Sequence, residues 1–295
     1  MKKLWVLSVA LFITVNSFAL NQGILVVAHG SSCHFEHGVP PTPWEKAVLD
    51  TVALVAPKIS HPIEVAFGMW STESYNEAIQ RLEKKFSASS PMEQLVVVPL
   101  FLSSFSIVID MQKYIFRQTS EKPPIEAEQV AYSGKILYGK PMDYDTTISD
   151  ILVTRAKTLA AASKETMVGK LELNLVMHGP NEEWENHMWL MNGHQYAADM
   201  ARLGFAEIHV LTLRDDCDKS VKERAAEMLR DAVSGAAKRG HKALVLPFTV
   251  SSKGIEHHIT DILGTIEFVW TGETLLPDAR ISDYILRKIT EAARP

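Results

Sequence analysis

Short unbroken apolar runs alternate along this chain with longer stretches whose apolar residues recur every third or fourth position. Residues 23–28 form such a run, rich in Ile and Val, the pattern of a strand covered on both faces. Helical spacing follows over 44–56, entered past Pro40, Pro41 and Pro43. The same reading predicts strands at 62–68, 94–100 and 134–138, and helices at 74–86, 107–117 and 146–162. Strands that alternate with helices in this way predict a parallel sheet with helices on both faces.

The pattern then restarts. Strands are predicted at 171–177, 207–213, 243–247 and 266–270, and helices at 189–203, 219–235 and 281–293. Landmarks recur at nearly constant offset. His29-Gly30 ends the first strand of one half and His178-Gly179 that of the other, and Pro99 and Pro247 close the third strands. The first half carries an insertion after its third strand, over 112–133. The expected fold class is α/β, with two similar halves, each a four-stranded parallel sheet flanked by helices, and a cleft between them. The halves span 20–165 and 166–295, the boundary lying in the polar stretch near 163–169.

Residues 1–19 fall outside this pattern. Met1-Lys2-Lys3 is basic, 4–15 is apolar, and Ser17-Phe18-Ala19 places small residues where a signal peptidase reads. A cleavable signal peptide cut after Ala19 is expected, with a periplasmic or secreted mature protein. No cysteine sits at the cleavage site to carry a lipid, and no later run reaches the roughly 20 apolar residues of a membrane span, so no stable membrane anchor is expected.

Composition changes the picture little. The 295 residues are 46% hydrophobic and 22% charged, as in ordinary globular chains. The net charge of −5 and the absence of a basic arm argue against nucleic acid as a partner. Two cysteines, Cys33 and Cys217, follow predicted strands in opposite halves. A disulfide, two free thiols, or Cys33 as a metal ligand all remain open, as does a homo-oligomer.

Candidate chemistry collects at strand ends, where open α/β sheets bind ligands. His178 follows the first strand of the second half, Arg214, Asp215, Asp216 and Cys217 the second, and Glu256, His257 and His258 the third. Imidazoles and a carboxylate on one rim can ligate a divalent metal of borderline softness or accept protons near neutral pH. Beside His178 lie Glu182, Glu183, Glu185, His187 and His194, interleaved with Trp184, Met188, Trp189 and Met191, a mixture that suits a flat apolar ligand with polar edges. The plainer alternatives are a turn histidine at 178, a solvated first helical turn at 256–258, and a helix core at 184–189. His29, Cys33, His34 and His37 crowd one first-half loop, either as an accessory metal site or as a polar surface loop.

Ile24-Leu25-Val26-Val27-Ala28-His29-Gly30-Ser31-Ser32 resembles the opening element of the class II tetrapyrrole chelatases, which include sirohydrochlorin cobaltochelatases and, more distantly, ferrochelatases. Leu175-Val176-Met177-His178-Gly179 resembles the same element with its catalytic histidine. Pro247-Phe248-Thr249-Val250-Ser251-Ser252-Lys253-Gly254-Ile255-Glu256 resembles a segment ending in a catalytic glutamate. The resemblance implies chelatase-like, flavodoxin-like halves and a lyase that inserts a divalent metal (Co2+ or Fe2+, or Ni2+) into a tetrapyrrole such as sirohydrochlorin, with no organic cofactor. It implies His178, Glu256 and His257 as catalytic residues, with His258 joining them as a metal ligand. It places the macrocycle near Ser251, Ser252, Lys253, Trp189 and Arg214. The first half departs from the family pattern. Ile107, Val108, Ile109 and Asp110 stand where small sirohydrochlorin chelatases carry a histidine. Export motivates a rival reading, a non-catalytic periplasmic protein that binds metal or haem on the same scaffold.

Overall fold

The computed structural model describes residues 20–29, 41–69, 72–124, 126–251 and 254–293. The expected leader at 1–19, together with Cys33, His34, His37, Ser252 and Lys253, lies outside the described residues.

The first half contains β1 (Gln22–Ala28), α1 (Pro43–Val55), β2 (Ile63–Phe67), α2 (Thr72–Glu83), β3 (Gln94–Leu100), α3 (Ile107–Ile115), β4 (Lys135–Tyr138) and α4 (Thr146–Ala162). The second contains β5 (Leu171–Met177), α5 (Glu183–Ala201), β6 (Glu207–Thr212), α6 (Lys219–Lys238), β7 (Lys242–Pro247), α7 (Glu256–Leu263) and α8 (Arg280–Ala292). The strands are parallel, in the orders β2-β1-β3-β4 and β6-β5-β7. In each sheet the chain lays its second strand on one side of the first and its third on the other. That reversal leaves a crevice at the carboxyl ends of β1 and β3, and another at those of β5 and β7.

The α/β architecture agrees with the expected pattern, with three differences. The strand expected at 266–270 makes a single parallel bridge, Val269 to Leu244. Ile266, Phe268 and Trp270 still pack on the outer core cluster, but Gly272 at φ +68° turns the chain away after one rung. The helix expected at 189–203 begins earlier, at Glu183, so Glu183, Glu185 and His187 belong to the helix and not to the loop before it. The polar loop expected to carry Glu256, His257 and His258 is the first turn of α7.

Local signals explain several helix starts. Thr42 and Glu45 form a capping box with Pro43 at the first helical position of α1. Ser106 caps α3 and Asp145 caps α4 through side-chain bonds to backbone N–H groups.

The halves exchange their last helices. α4 packs on β7 and α5, whereas α8 packs on β3 and α1. One continuous core therefore runs between the sheets, joining Val96, Val98 and Ile148 of the first half to Leu244, Leu246, Tyr284 and Ile285 of the second. Polar latches repeat the exchange. Arg287 of α8 donates to the Asp145 carboxylate that caps α4, at 2.6 and 2.8 Å. Arg155 of α4 donates to the carbonyls of Thr274 and Pro277, just ahead of α8, at 3.2 and 3.1 Å. Among the described residues no helix is long and apolar enough to cross a membrane.

Two outcomes are expected. Residues 20–165 expressed alone leave the inner face of β3 without α8, and should bind a hydrophobic dye and unfold without a cooperative transition, whereas the full chain unfolds cooperatively. Arg287→Ala strips a buried carboxylate of its main cation and should cost about 1–3 kcal/mol by chemical denaturation, since a polar group left unsatisfied bears its desolvation cost.

Candidate functional site

The two crevices face each other, and the loops beside them cross over reciprocally. Trp189 of α5 donates its Nε1–H to the Phe105 carbonyl, in the loop after β3, at 2.6 Å. Ser251, in the loop after β7, donates to the Trp44 carbonyl of α1 at 3.5 Å. The Trp44 ring lies 5.9 Å from the His29 ring at the end of β1 and 5.7 Å from Phe67. The first-half crevice thus carries His29, and the second carries His178.

His178 leaves β5 into Gly179, whose φ is +80°. A Cβ there would stand 2.6 Å from the Thr212 Cβ, so both the backbone conformation and the space require glycine. The His178 Nδ1 lies 2.8 Å from the Gly179 carbonyl, which can only accept, so Nδ1 carries the proton and Nε2 keeps its lone pair. That Nε2 lies 3.5 Å from the Asp216 Oδ2.

A second imidazole is oriented in the same manner. The His258 Nδ1 donates to the Asp215 Oδ2 at 2.6 Å, which leaves Nε2 as the basic atom. The His257 ring is exposed and sits 3.9 Å from that of His258, centroid to centroid. Loops after all three strands of the second sheet therefore supply the rim: His178 after β5, Asp215 and Asp216 after β6, and Glu256 to His258 after β7.

The sequence reading assigns Arg214 to a macrocycle edge, and the structure corrects it. Arg214 is 5% exposed and points inward. Its Nε donates to the Pro180 carbonyl at 3.1 Å, and its terminal nitrogens donate to the Asn181 carbonyl and to Glu183. The guanidinium clamps the turn after His178 onto β6, which also accounts for the early start of α5. Cys217 joins the clamp, its thiol 3.5 Å from the Asn181 carbonyl. Ser251 is buried against α1, and the Trp189 N–H is already bonded across the halves.

α5 lies close against its sheet because Gly193 faces Val210 and Met177, where a Cβ would come within 2.5 and 2.9 Å of them. Its exposed side carries Trp184, His187, Met191 and His194. Two acidic residues from opposite halves stand near this helix start. The buried Glu185 carboxyl is held above the usual carboxylate range by desolvation first, then by the negative charges of Asp110 and Glu182. Its nearness to Asp110 of α3 is not legible in the sequence, because the two lie far apart along the chain.

Among the described residues, the group of three whose ligating atoms all lie within 4.8 Å is Glu172, Glu207 and His209, at the other end of the second sheet. At the rim, His178 and His258 are instead each paired with one carboxylate.

Residues 23–159 match the CbiX family model. No protein of curated function matches the chain by sequence. SirB from Bacillus subtilis with Fe3+ is similar in structure, at 17% identity and a TM-score of 0.61, over 93% of this chain and 96% of that one. DR2241 from Deinococcus radiodurans is also similar, at 13% identity and a TM-score of 0.58, and is described as a multi-domain protein with structural similarity to chelatases and two additional novel domains. The chain spans 56% of the length of DR2241 and aligns over 93% of its own. At such identities the likeness is one of fold. The CbiX match falls on the half that carries His29.

Gly179→Ala should destabilise the protein more than Gly240→Ala. Both glycines have positive φ, but a Cβ at Gly240 meets nothing within 4 Å. Gly240→Ala should cost about 1 kcal/mol, and Gly179→Ala about 1–3 kcal/mol more, by urea denaturation.

Proposed function

We propose that this chain is a chelatase that inserts a divalent metal, Co2+ or Fe2+, into a tetrapyrrole such as sirohydrochlorin, and that the second-half rim carries the chemistry; the CbiX match over residues 23–159 and the fold shared with SirB and DR2241 support this reading. One observation supports this most: two imidazoles, His178 and His258, have Nδ1 committed to a hydrogen bond and Nε2 left basic, each beside an aspartate.

Insertion replaces two pyrrole N–H bonds with bonds to the metal and releases two protons. A site for this work must hold the metal loosely and offer bases. The His178 Nε2 and the Asp216 Oδ2, 3.5 Å apart, are spaced like two ligands of one cation at bond lengths of about 2.1 Å. An open pair binds the incoming metal more weakly than a closed cage of four and leaves positions for the ring nitrogens. His258, oriented by Asp215, and Glu256 on the same turn of α7 accept the protons. Orientation by Asp215 matters because a carboxylate on Nδ1 fixes the tautomer and the direction of the ring.

The exposed apolar side chains Trp184 and Met191 of α5, with Phe105 6.3 Å from Trp184 centroid to centroid, offer a surface for the macrocycle. We propose that Lys253 and Ser252 meet its acidic edge. The leader-like segment at 1–19 favours the second reading, an exported protein that binds metal or haem without turnover.

The assay mixes purified protein with sirohydrochlorin and Co2+ or Fe2+ and follows the absorption spectrum. Catalysis above the uncatalysed rate is expected, with His178→Ala reducing it at least 100-fold and Asp215→Asn by about 10–100-fold. Full activity in His178→Ala would remove the rim from the mechanism. A stoichiometric spectral change without turnover would establish the binding protein instead.

A further inference from the structure

We propose that the amino end of the second sheet holds a second divalent-cation site, built from Glu172, Glu207 and His209 and separate from the His178 rim. Glu172 stands near the start of β5, and Glu207 and His209 on β6 beside it. His178 lies six steps along the extended chain from Glu172, which at about 3.3 Å per residue places the two sites roughly 20 Å apart.

The bonding of Glu172 singles out one lone pair. Its side chain is buried, and its carboxylate offers about four lone-pair positions. Oε1 accepts from Arg239 Nε and His241 Nδ1, both at 2.7 Å, and Oε2 accepts from the Arg239 terminal nitrogen at 2.6 Å. Three positions are filled. The fourth is on Oε2, the atom that His209 Nε2 approaches at 3.4 Å.

The remaining distances suit ligands better than hydrogen bonds. His209 Nε2 lies 3.4 Å from Glu172 Oε2 and 3.7 Å from Glu207 Oε2. Both exceed the roughly 2.7–3.2 Å of an ordinary N–H···O bond. Both lie near the edge length of about 3.4 Å between two ligands of a tetrahedral ion bound at about 2.1 Å. One imidazole and two carboxylates suit Zn2+, Co2+ or Ni2+.

Charge permits the ion. Two carboxylates against Arg239 leave the cluster net negative while the imidazoles are neutral. Arg239 and His241 both donate to the Glu172 carboxylate and hold it in place at the cluster. A further observation lies one step along the same strand face. Asn174, wholly buried and paired in register with His209, has an Oδ1 with no hydrogen-bond partner. It leaves a further buried oxygen beside the cluster without a donor.

The competing account is an imidazolium at His209 bridging two carboxylates with no metal. A titration of the metal-free full chain with Co2+, read by its visible absorption and by calorimetric stoichiometry, separates the two. Wild type should take up one equivalent more than His209→Ala, and Glu207→Gln should weaken that equivalent by about tenfold or more. Thermal stabilisation by Co2+ should shrink in both variants. Glu207 is exposed, so Glu207→Gln keeps the test decisive if His209→Ala folds poorly. The same stoichiometry and affinity in Glu207→Gln as in wild type would overturn the proposal. The rim residues are intact in both variants, so a failure here leaves the chelatase reading standing.

Discussion

The reciprocal exchange of α4 and α8 is the constraint on which the remaining structure rests. Each sheet has an inner apolar face, and each face is completed by a helix from the other half. The apolar contribution is the larger one. α8 alone buries Ile281, Tyr284, Ile285 and Ile289, and each fully buried side chain of this size contributes about 1.5–3 kcal/mol. The Arg287–Asp145 latch is partly exposed on the arginine side and contributes nearer 1 kcal/mol, so it sets the seating of the helix more than its affinity. The two halves therefore share one core between their sheets, with a separate apolar cluster on the outer side of each.

This interlock sets the two strand-end crevices opposite each other. Trp44 and Trp189 reach across it in matching ways, each bonded to or by the loop after the third strand of the other half. The rim itself is held by bonds that leave its reactive atoms open. Arg214 fixes the turn after His178, the Gly179 carbonyl orients that imidazole, and Asp215 orients His258. Acceptors behind the two imidazoles thus aim their Nε2 atoms outward.

Most of the fold was legible because parallel strands buried on both faces leave an unmistakable apolar run; β3, α4 and β5 lie where the pattern places them. The fourth strand of the second half was overcalled, since Ile266 to Trp270 has the right alternation but makes one rung before Gly272 turns away. The start of α5 was misplaced because its acidic first turn reads as a loop until Arg214, distant in sequence, pins it. Positions of the rim residues at strand ends could be read from the chain. Pairings such as His258 with Asp215, Glu185 near Asp110, and Glu172 with Arg239 and His241 could not, because contacts across strands depend on sheet order. Arg214 shows the same limit: an arginine in a polar loop gives no sign of which way it points.

The family match on the first half and the basic imidazoles on the second make the location of the metal the central question. Anomalous diffraction at the cobalt edge, from crystals of the full chain equilibrated with Co2+, answers it directly. The account predicts a peak at the second-half rim, within coordinating distance of His178 Nε2 and Asp216. A peak confined to the first-half crevice beside His29, with none at His178, would contradict it.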